Sequence, residues 1–464
     1  MKHIHMIGIG GSGLSAIARL LLEMGYKVTG SDRFESSFIR DLRSAGATIA
    51  IGHHPENIAG ADVVVRSSAV PEDNPEVIAA LQAGIPVLKR GDFLGTLMAG
   101  RTGIAVAGTH GKTTTTAMLA WMLTALHQEP TFIVGGVLQN LGVNAHAGKG
   151  RTFIIEADEY DRMFLDLKPT IEVVTNVEHD HPDCYPTPAA FEAAFLEFIK
   201  LLPDDGTLVA CVEDPGAQGI MAKAEKLKKH VVGYGIRSDK TAGRNVEVFA
   251  MDLKANEYGG FAFTASIFNQ PVSVALQVPG RHNVSNALAA LAVISLLNLP
   301  LVGAARALEQ FKGAGRRFEV KGEAGGVTVI DDYGHHPTEI RATLSAARSR
   351  YPGRRIWAVW QPHTFSRTQM LFNEFTHAFG DADKVVVTEV YAAREPKQDY
   401  SSERVVRSMS HPSVHFVAEL KDVSNYLIVN LHPGDVLLVF SAGDADQVSA
   451  QVLASLQESE AQNG

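Results

Sequence analysis

The sequence predicts an α/β protein of three parts. Three observations carry this expectation. Short apolar runs alternate with amphipathic stretches of helical period, the pattern of a parallel sheet flanked by helices. The run MAGRTGIAVAG interrupts that pattern and restarts it, leading a new strand into a threonine-rich loop. After residue 240 the apolar period drops to two, the mark of antiparallel strands added to the central part. At roughly 150 residues per domain, a chain of 464 residues has room for three.

The first part, residues 1–98, opens with the strand HIHMIGIG and the helix LSAIARLLLEMG. KVTGSD is the next strand, and ADVVVRSSAV and IPVLKRGDFLG continue the alternation. Gly8, Gly10 and Gly13 stand as G-x-G-x-x-G between strand and helix, and Asp32 closes the following strand. That is the dinucleotide fingerprint in outline, which makes this part Rossmann-like. It says that a diphosphate can sit on the helix, and does not say which nucleotide.

The second part, residues 99–312, centres on AVAGTHGKTTTT. Backbone N–H groups at a helix start point at any anion placed there. Glycine lets the backbone approach a phosphate, lysine reaches the outer phosphates, and a hydroxyl serves magnesium. The usual P-loop has a glycine five residues before its Gly-Lys pair. Here that position is Val106, so the loop starts at Gly108 and is short. FIIEADEYD runs into Glu156, Asp158, Glu159 and Asp161, hard oxygen ligands of the kind magnesium takes. TNVEHDHPD gathers Asn176, His179, Asp180, His181 and Asp183. Its Cys/His spacing is poor for zinc, so a magnesium or phosphate role beside the loop is the better reading. The antiparallel stretch follows, and then GRHNVSNALAA opens a helix on Arg281, His282 and Asn283. Asn283 suits a base contact or a helix cap equally.

The third part, residues 313–464, begins in GAGRRFE with Arg316 and Arg317, a pair suited to phosphate. DDYGHHPTE follows a strand and carries Asp331, Asp332, His335 and His336. WQPHTFSRT follows the next, with His363, Ser366, Arg367 and Thr368. Ligands of open α/β sheets lie beyond the carboxyl ends of strands, so two such polar clusters point to a site. KVVVTEVYAARE and DVLLVFSAGD complete a second Rossmann-like alternation.

Composition narrows the class. A net charge of −9 argues against a general nucleic-acid binder. Two cysteines, Cys184 and Cys211, make no disulfide framework and point to a reducing compartment. The amino terminus lacks a signal-peptide pattern, and no apolar run approaches membrane-spanning length. A cytoplasmic protein without membrane insertion is expected.

Taken together, GIGGSGLS, GTHGKTT, EADEYD, TNVEHDHPD, GRHNVSNALAA, GAGRRFE, DDYGHHPTE, QPHTFSRT and VYAARE resemble the Mur ligase family, in family order and across nearly the whole chain. The resemblance accounts for the short loop, and QPHTFSRT looks like the alanine-adding branch. It implies a UDP-sugar-binding first domain, an ATP-binding central domain, and a closing third domain that brings the amino acid. The implied reaction joins L-alanine to the carboxylate of UDP-N-acetylmuramate through an acyl phosphate, with ATP and Mg²⁺. By the same resemblance Lys112, His181 and Arg367 are the catalytic set. Gly108, Thr109, His110, Gly111, Lys112, Thr113, Thr114, His282, Asn283, Arg317 and Asp331 would hold ATP. Gly10, Gly11, Ser12, Gly13, Leu14, Ser15, Asp32, Ser67 and Ser68 would face the UDP-sugar. His335, His336, His363 and Arg367 would face alanine, and Thr113, Thr114, Glu159 and His181 would hold magnesium. A ligase for a recycled murein tripeptide is the near alternative, since GTHGKT and EADEYD do not separate the two. A P-loop switch ATPase and a nicotinamide oxidoreductase are the distant ones.

Overall fold

A computed structural model describes residues 2–238 and 246–463, and the strands among them form three sheets. The first sheet contains β1 (His3–Ile7), β2 (Lys27–Asp32), β3 (Thr48–Ile51), β4 (Val63–Arg66) and β5 (Val87–Lys89), in the order β3-β2-β1-β4-β5. Every pairing is parallel. β1 is buried along its whole length, with His3 and His5 enclosed beside its apolar residues. The winding reverses between β1 and β4, the place beyond whose carboxyl ends open α/β sheets take their ligands. The Gly8–Gly13 loop leaves β1 there, and Ser67 and Ser68 leave β4.

The central sheet is the largest. It takes β6 (Thr102–Ala107), β7 (Thr131–Leu138), β8 (Val143–His146), β9 (Thr152–Glu156), β10 (Ile171–Val174), β11 (Thr207–Cys211), β12 (His230–Ile236), β13 (Val248–Ala255), β14 (Phe261–Ile267) and β15 (Gln270–Ala275). Their order is β15-β14-β13-β12-β11-β10-β6-β9-β7-β8. The run from β12 to β7 is parallel, and β13, β14 and β15 form the antiparallel extension that the change of period predicts. The helix Lys112–Ala125 follows β6 directly. It packs on the helix Arg281–Leu296, which is apolar on nearly every face and buried accordingly.

The third sheet contains β16 (Glu319–Ala324), β17 (Val327–Asp332), β18 (Ile356–Trp360), β19 (Lys384–Val387), β20 (Val414–Phe416) and β21 (Val436–Phe440), ordered β16-β17-β21-β18-β19-β20. Only β16, at the edge, runs antiparallel to its neighbour.

The apolar cores are divided unequally. One cluster runs from Ile4 to Ala314 and joins an inner face of the first sheet to the central one. The third sheet has two clusters of its own, one on each face, drawn from residues after Ala314. Among the described residues no helix is long and apolar enough to cross a membrane.

Candidate active site

The phosphate loop is fixed by its two glycines. Gly108 has φ +134° and Gly111 φ +81°, conformations that side chains rarely adopt. A Cβ at Gly108 would lie 2.1 Å from Thr175 Oγ1, and one at Gly111 2.6 Å from Asn286 Oδ1. The neighbouring loop braces this turn. His110 N donates to Asn176 Oδ1 at 2.8 Å, and the Thr109 hydroxyl donates to Glu178 O at 2.7 Å.

Lys112 folds back along the loop. Its Nζ donates to Gly108 O at 2.5 Å and to Glu159 at 2.9 Å. The acid beside the Thr113 hydroxyl is Glu156, at 3.0 Å, whereas Glu159 lies between Lys112 and His181. The two carboxylates differ electrostatically. Burial raises Glu156, outweighing Lys112 and Arg317. Burial also works to raise Glu159, but Lys112 and His181 overcome it and hold that acid low. His181 adopts φ +54°, and its Nε2 is 3.6 Å from Glu159. Thr113, Glu156 and Glu159 supply oxygens of the hard kind that a divalent cation takes beside phosphate, Glu156 on the Thr113 side and Glu159 on the Lys112 side.

A cavity of about 810 Å³ opens between the central and third sheets. His110, Gly111, Thr113, Thr114, His282, Asn283 and Arg317 line it. Asn283 is buried: its Nδ2 donates to Pro279 O at 2.7 Å, and its Oδ1 accepts from Asn286 at 3.1 Å. Arg317 reaches Glu339 at 3.3 Å and lies over the Tyr333 ring. Asp331, expected to hold adenosine, does not line the cavity; its Oδ1 accepts the Ser449 hydroxyl at 2.6 Å. Asp332 is on the wall instead, because adjacent strand residues face opposite sides. Burial pushes Asp332 up to about 6 even with Arg317 nearby.

His110 is clasped from two sides. Its Nε2 is 2.8 Å from Glu178 and its Nδ1 3.4 Å from Glu339. Burial opposes the charged ring, but the two carboxylates outweigh it and hold the imidazole up at about 9. Glu178 also accepts from Thr338 at 2.9 Å. Glu339 accepts from His335 N and His336 N and so caps the helix Pro337–Arg350. His336 is 1% exposed and kept neutral, its value lowered to about 4 by burial and the His110 charge. Glu178 and Glu339 stand inside motifs read from the sequence, yet their partner is far along the chain and nothing local marks them.

Arg367 lies in the short helix Phe365–Met370 beyond β18. It is 3% exposed; its Nε donates to Asp180 Oδ1 at 2.8 Å and its Nη1 to His363 Nδ1 at 2.9 Å. Burial and Arg367 lower His363 to about 3. The His335 ring is 5.7 Å from that of His363. His335, His363 and Arg367 therefore gather around Asp180, while His336 stands on the His110 side.

At the first sheet, Asp32 accepts from Gly10 N at 2.8 Å and from Arg33 N at 2.7 Å, closing the glycine loop. Gly11 is exposed on that loop. A Cβ at Gly13 would meet Arg90 Nη1 at 2.0 Å. Arg90, unmarked in the sequence, reaches Asp158 at 3.2 Å and links this loop to the strand-end acids of the central sheet. Leu14 and Ser15 are buried, Ser67 packs beneath Gly8, and Ser68 is exposed. The Ser12 side chain lies outside the described residues.

Comparison with known proteins covers all three sheets. Residues 3–102 match the Mur ligase family catalytic domain, residues 106–294 the Mur ligase middle domain, and residues 316–443 the Mur ligase glutamate ligase domain. The UDP-N-acetylmuramate–L-alanine ligase of Solidesulfovibrio magneticus is 46% identical over 98% of each chain. That of Geobacter sulfurreducens is 44% identical over 99% of this chain and 98% of its own. The crystal structure of UDP-N-acetylmuramate-alanine ligase from Thermotoga maritima superposes with a TM-score of 0.81 at 29% identity, covering 99% of this chain and 100% of that one. A murein peptide ligase from Psychrobacter arcticus follows at a TM-score of 0.73 and 26% identity, covering 98% of this chain and 99% of its own.

Proposed function

Because this chain belongs to the Mur ligase family, we propose that it is an ATP-dependent ligase joining L-alanine to the carboxylate of UDP-N-acetylmuramate in peptidoglycan precursor synthesis. The observation that carries the reading is the likeness to alanine ligases over 98% of each chain.

The chemistry follows from what a carboxylate lacks. It is a poor acylating agent until its oxygen becomes a leaving group. The sugar carboxylate attacks the γ-phosphate of ATP, releasing ADP and giving an acyl phosphate. The alanine amine then attacks that carbonyl, and phosphate leaves. Two anions must meet in the first step, so neutralising charge is the main task of the site. Lys112 serves that task, with Gly108, Thr109, His110 and Gly111 presenting backbone to the phosphates. Magnesium would be held by Thr113, Thr114, Glu159 and His181, with Glu156 supported as a further ligand by its bond to Thr113. When bound, it supplies positive charge at the transferring phosphoryl group. His282, Asn283 and Arg317 take the adenosine side, with Asp332 supported in place of Asp331 by the cavity lining. The glycine loop, Asp32, Ser67 and Ser68 take the UDP-sugar. His335, His363 and Arg367 take alanine; His336, expected with them, packs against His110 instead. The cytoplasm, where ATP and the nucleotide sugar are available, is the proposed compartment.

The test is phosphate release from ATP with Mg²⁺ and UDP-N-acetylmuramate, adding L-alanine, glycine, L-serine or the murein tripeptide singly. Release dependent on L-alanine, with a product heavier by one alanyl residue, is expected. Dependence on the tripeptide would move the chain to the recycling branch. Lys112→Ala is expected to abolish release while UDP-sugar binding, measured by calorimetry, persists, because Lys112 and the glycine loop of the first sheet stand on different sheets. Loss of sugar binding in a folded variant would contradict this division.

A further inference from the structure

Asp180, in the loop after β10 of the central sheet, and Arg367, in the short helix after β18 of the third, are 187 residues apart in sequence. Their side chains nevertheless pair at 2.8 Å, with only 4% and 3% of their surfaces exposed. Taking two charges out of water is costly unless their geometry and remaining hydrogen bonds are good. Here they are. Asp180 Oδ1 also accepts from His181 N at 2.7 Å, and Oδ2 lies 3.8 Å from His181 Nε2 and 3.9 Å from His335 Nε2. Asp180 thus belongs to the His181 loop and is held by it.

The pairing uses one end of the guanidinium. Asp180 takes Nε, the inner nitrogen, and His363 Nδ1 accepts from Nη1. A guanidinium held at Nε and Nη1, the latter also donating to His363 O at 3.3 Å, has its plane and direction set, while Nη2 keeps its N–H groups for a carboxylate oxygen. The alanine amine must be delivered to a carbonyl at the phosphate-transfer end, and an error of about 1 Å in such delivery costs on the order of 100-fold in rate. The anchor for the amino acid must therefore be registered against the loop at that end. Resting on the assignment of Arg367 to alanine made above, we propose that Asp180 is a positioning residue: it orients Arg367 for the amino-acid carboxylate and ties that anchor to the His181 loop.

The experiment is steady-state kinetics on the full chain carrying Asp180→Asn, Arg367→Ala or both. KM is measured for L-alanine, ATP and UDP-N-acetylmuramate. Each single substitution is expected to raise the alanine KM about tenfold or more and leave the other two within about twofold. The double variant is expected to be no worse than Arg367→Ala alone, because a residue acting through another adds nothing once that other is gone. Asp180→Glu, which keeps the charge, is expected to fall between wild type and Asp180→Asn. Additive effects, or a rise in all three KM values with Asp180→Asn, would overturn the proposal and leave Asp180 a structural residue. An unchanged alanine KM in Arg367→Ala would overturn the assignment of Arg367 itself, and the Asp180 inference with it. If Asp180→Asn does not fold, Asp180→Glu decides: a raised alanine KM alone supports the proposal, and an unchanged one refutes it.

Discussion

Glu76 has no exposed surface, and four donors converge on it. His5 Nε2 lies at 3.0 Å, Ser31 Oγ and Asn57 Nδ2 at 2.6 Å, and His54 N at 3.1 Å. Burial alone would raise this acid, but the bonds from His5, Ser31 and Asn57 outweigh it and bring the value down from 4.5 to about 2. A depressed folded value stabilises the fold above the unfolded value, and that contribution is lost as pH falls from 4.5 toward 2. Glu76→Gln is therefore expected to lose about 3 kcal/mol near neutral pH, with the gap to wild type closing across that acid window. Urea titrations at several pH values check it; a gap independent of pH would refute the account. Ser31 O also accepts from Gly8 N and Ile9 N, so this network lies directly under the glycine loop. None of it was legible in the sequence. Glu76 stands in no motif there, and its partners come from β1, β2 and the loop after β3.

Gly108 shows the same division within one element. The strand, the short loop and the helix start of GTHGKTTTT were all legible, because glycine, lysine and threonine act there through local backbone geometry. What the sequence could not show is that Thr175, from the next strand end, fills the space beside Gly108. Gly108→Ala has to overcome both that overlap and an unfavourable φ, and it is expected to weaken nucleotide binding by about 100-fold or more. Calorimetric titration with ADP and with the UDP-sugar separates the two sites; equal loss of both would mean a general collapse. Element-end acids were harder to assign. The sequence places Glu156 and Glu159 near the loop, but which faces Thr113 and which faces Lys112 depends on how the chain turns after β9. Asp332 lines the cavity and Asp331 does not for a simpler reason: β17 alternates its faces, and a residue's side cannot be read without knowing which face the cavity takes.

At the scale of the whole molecule, the three-part α/β pattern was legible because hydrophobic period and glycine punctuation recur through the chain. The sharing of cores was not, since apolar runs look alike whichever sheet they cover. The first and central sheets are joined by one apolar cluster, while the third has clusters of its own. Scanning calorimetry without ligand is therefore expected to resolve two transitions, one for the joined pair and one for the third sheet. An ATP analogue is expected to draw the two together, since both sides line the cavity proposed for it. A single transition without ligand would show stronger coupling than separate cores allow. The named contacts that cross to the third sheet are polar: His110 with Glu339, Thr338 with Glu178, Arg367 with Asp180, and Arg394 with Asp183. Parting them trades protein partners for water, a nearly balanced exchange, with little of the heat-capacity change that apolar exposure brings. How far the molecule stands ajar should therefore follow the electrolyte around it through the exposed Arg394–Asp183 pair, while the buried Arg367–Asp180 pair is screened little.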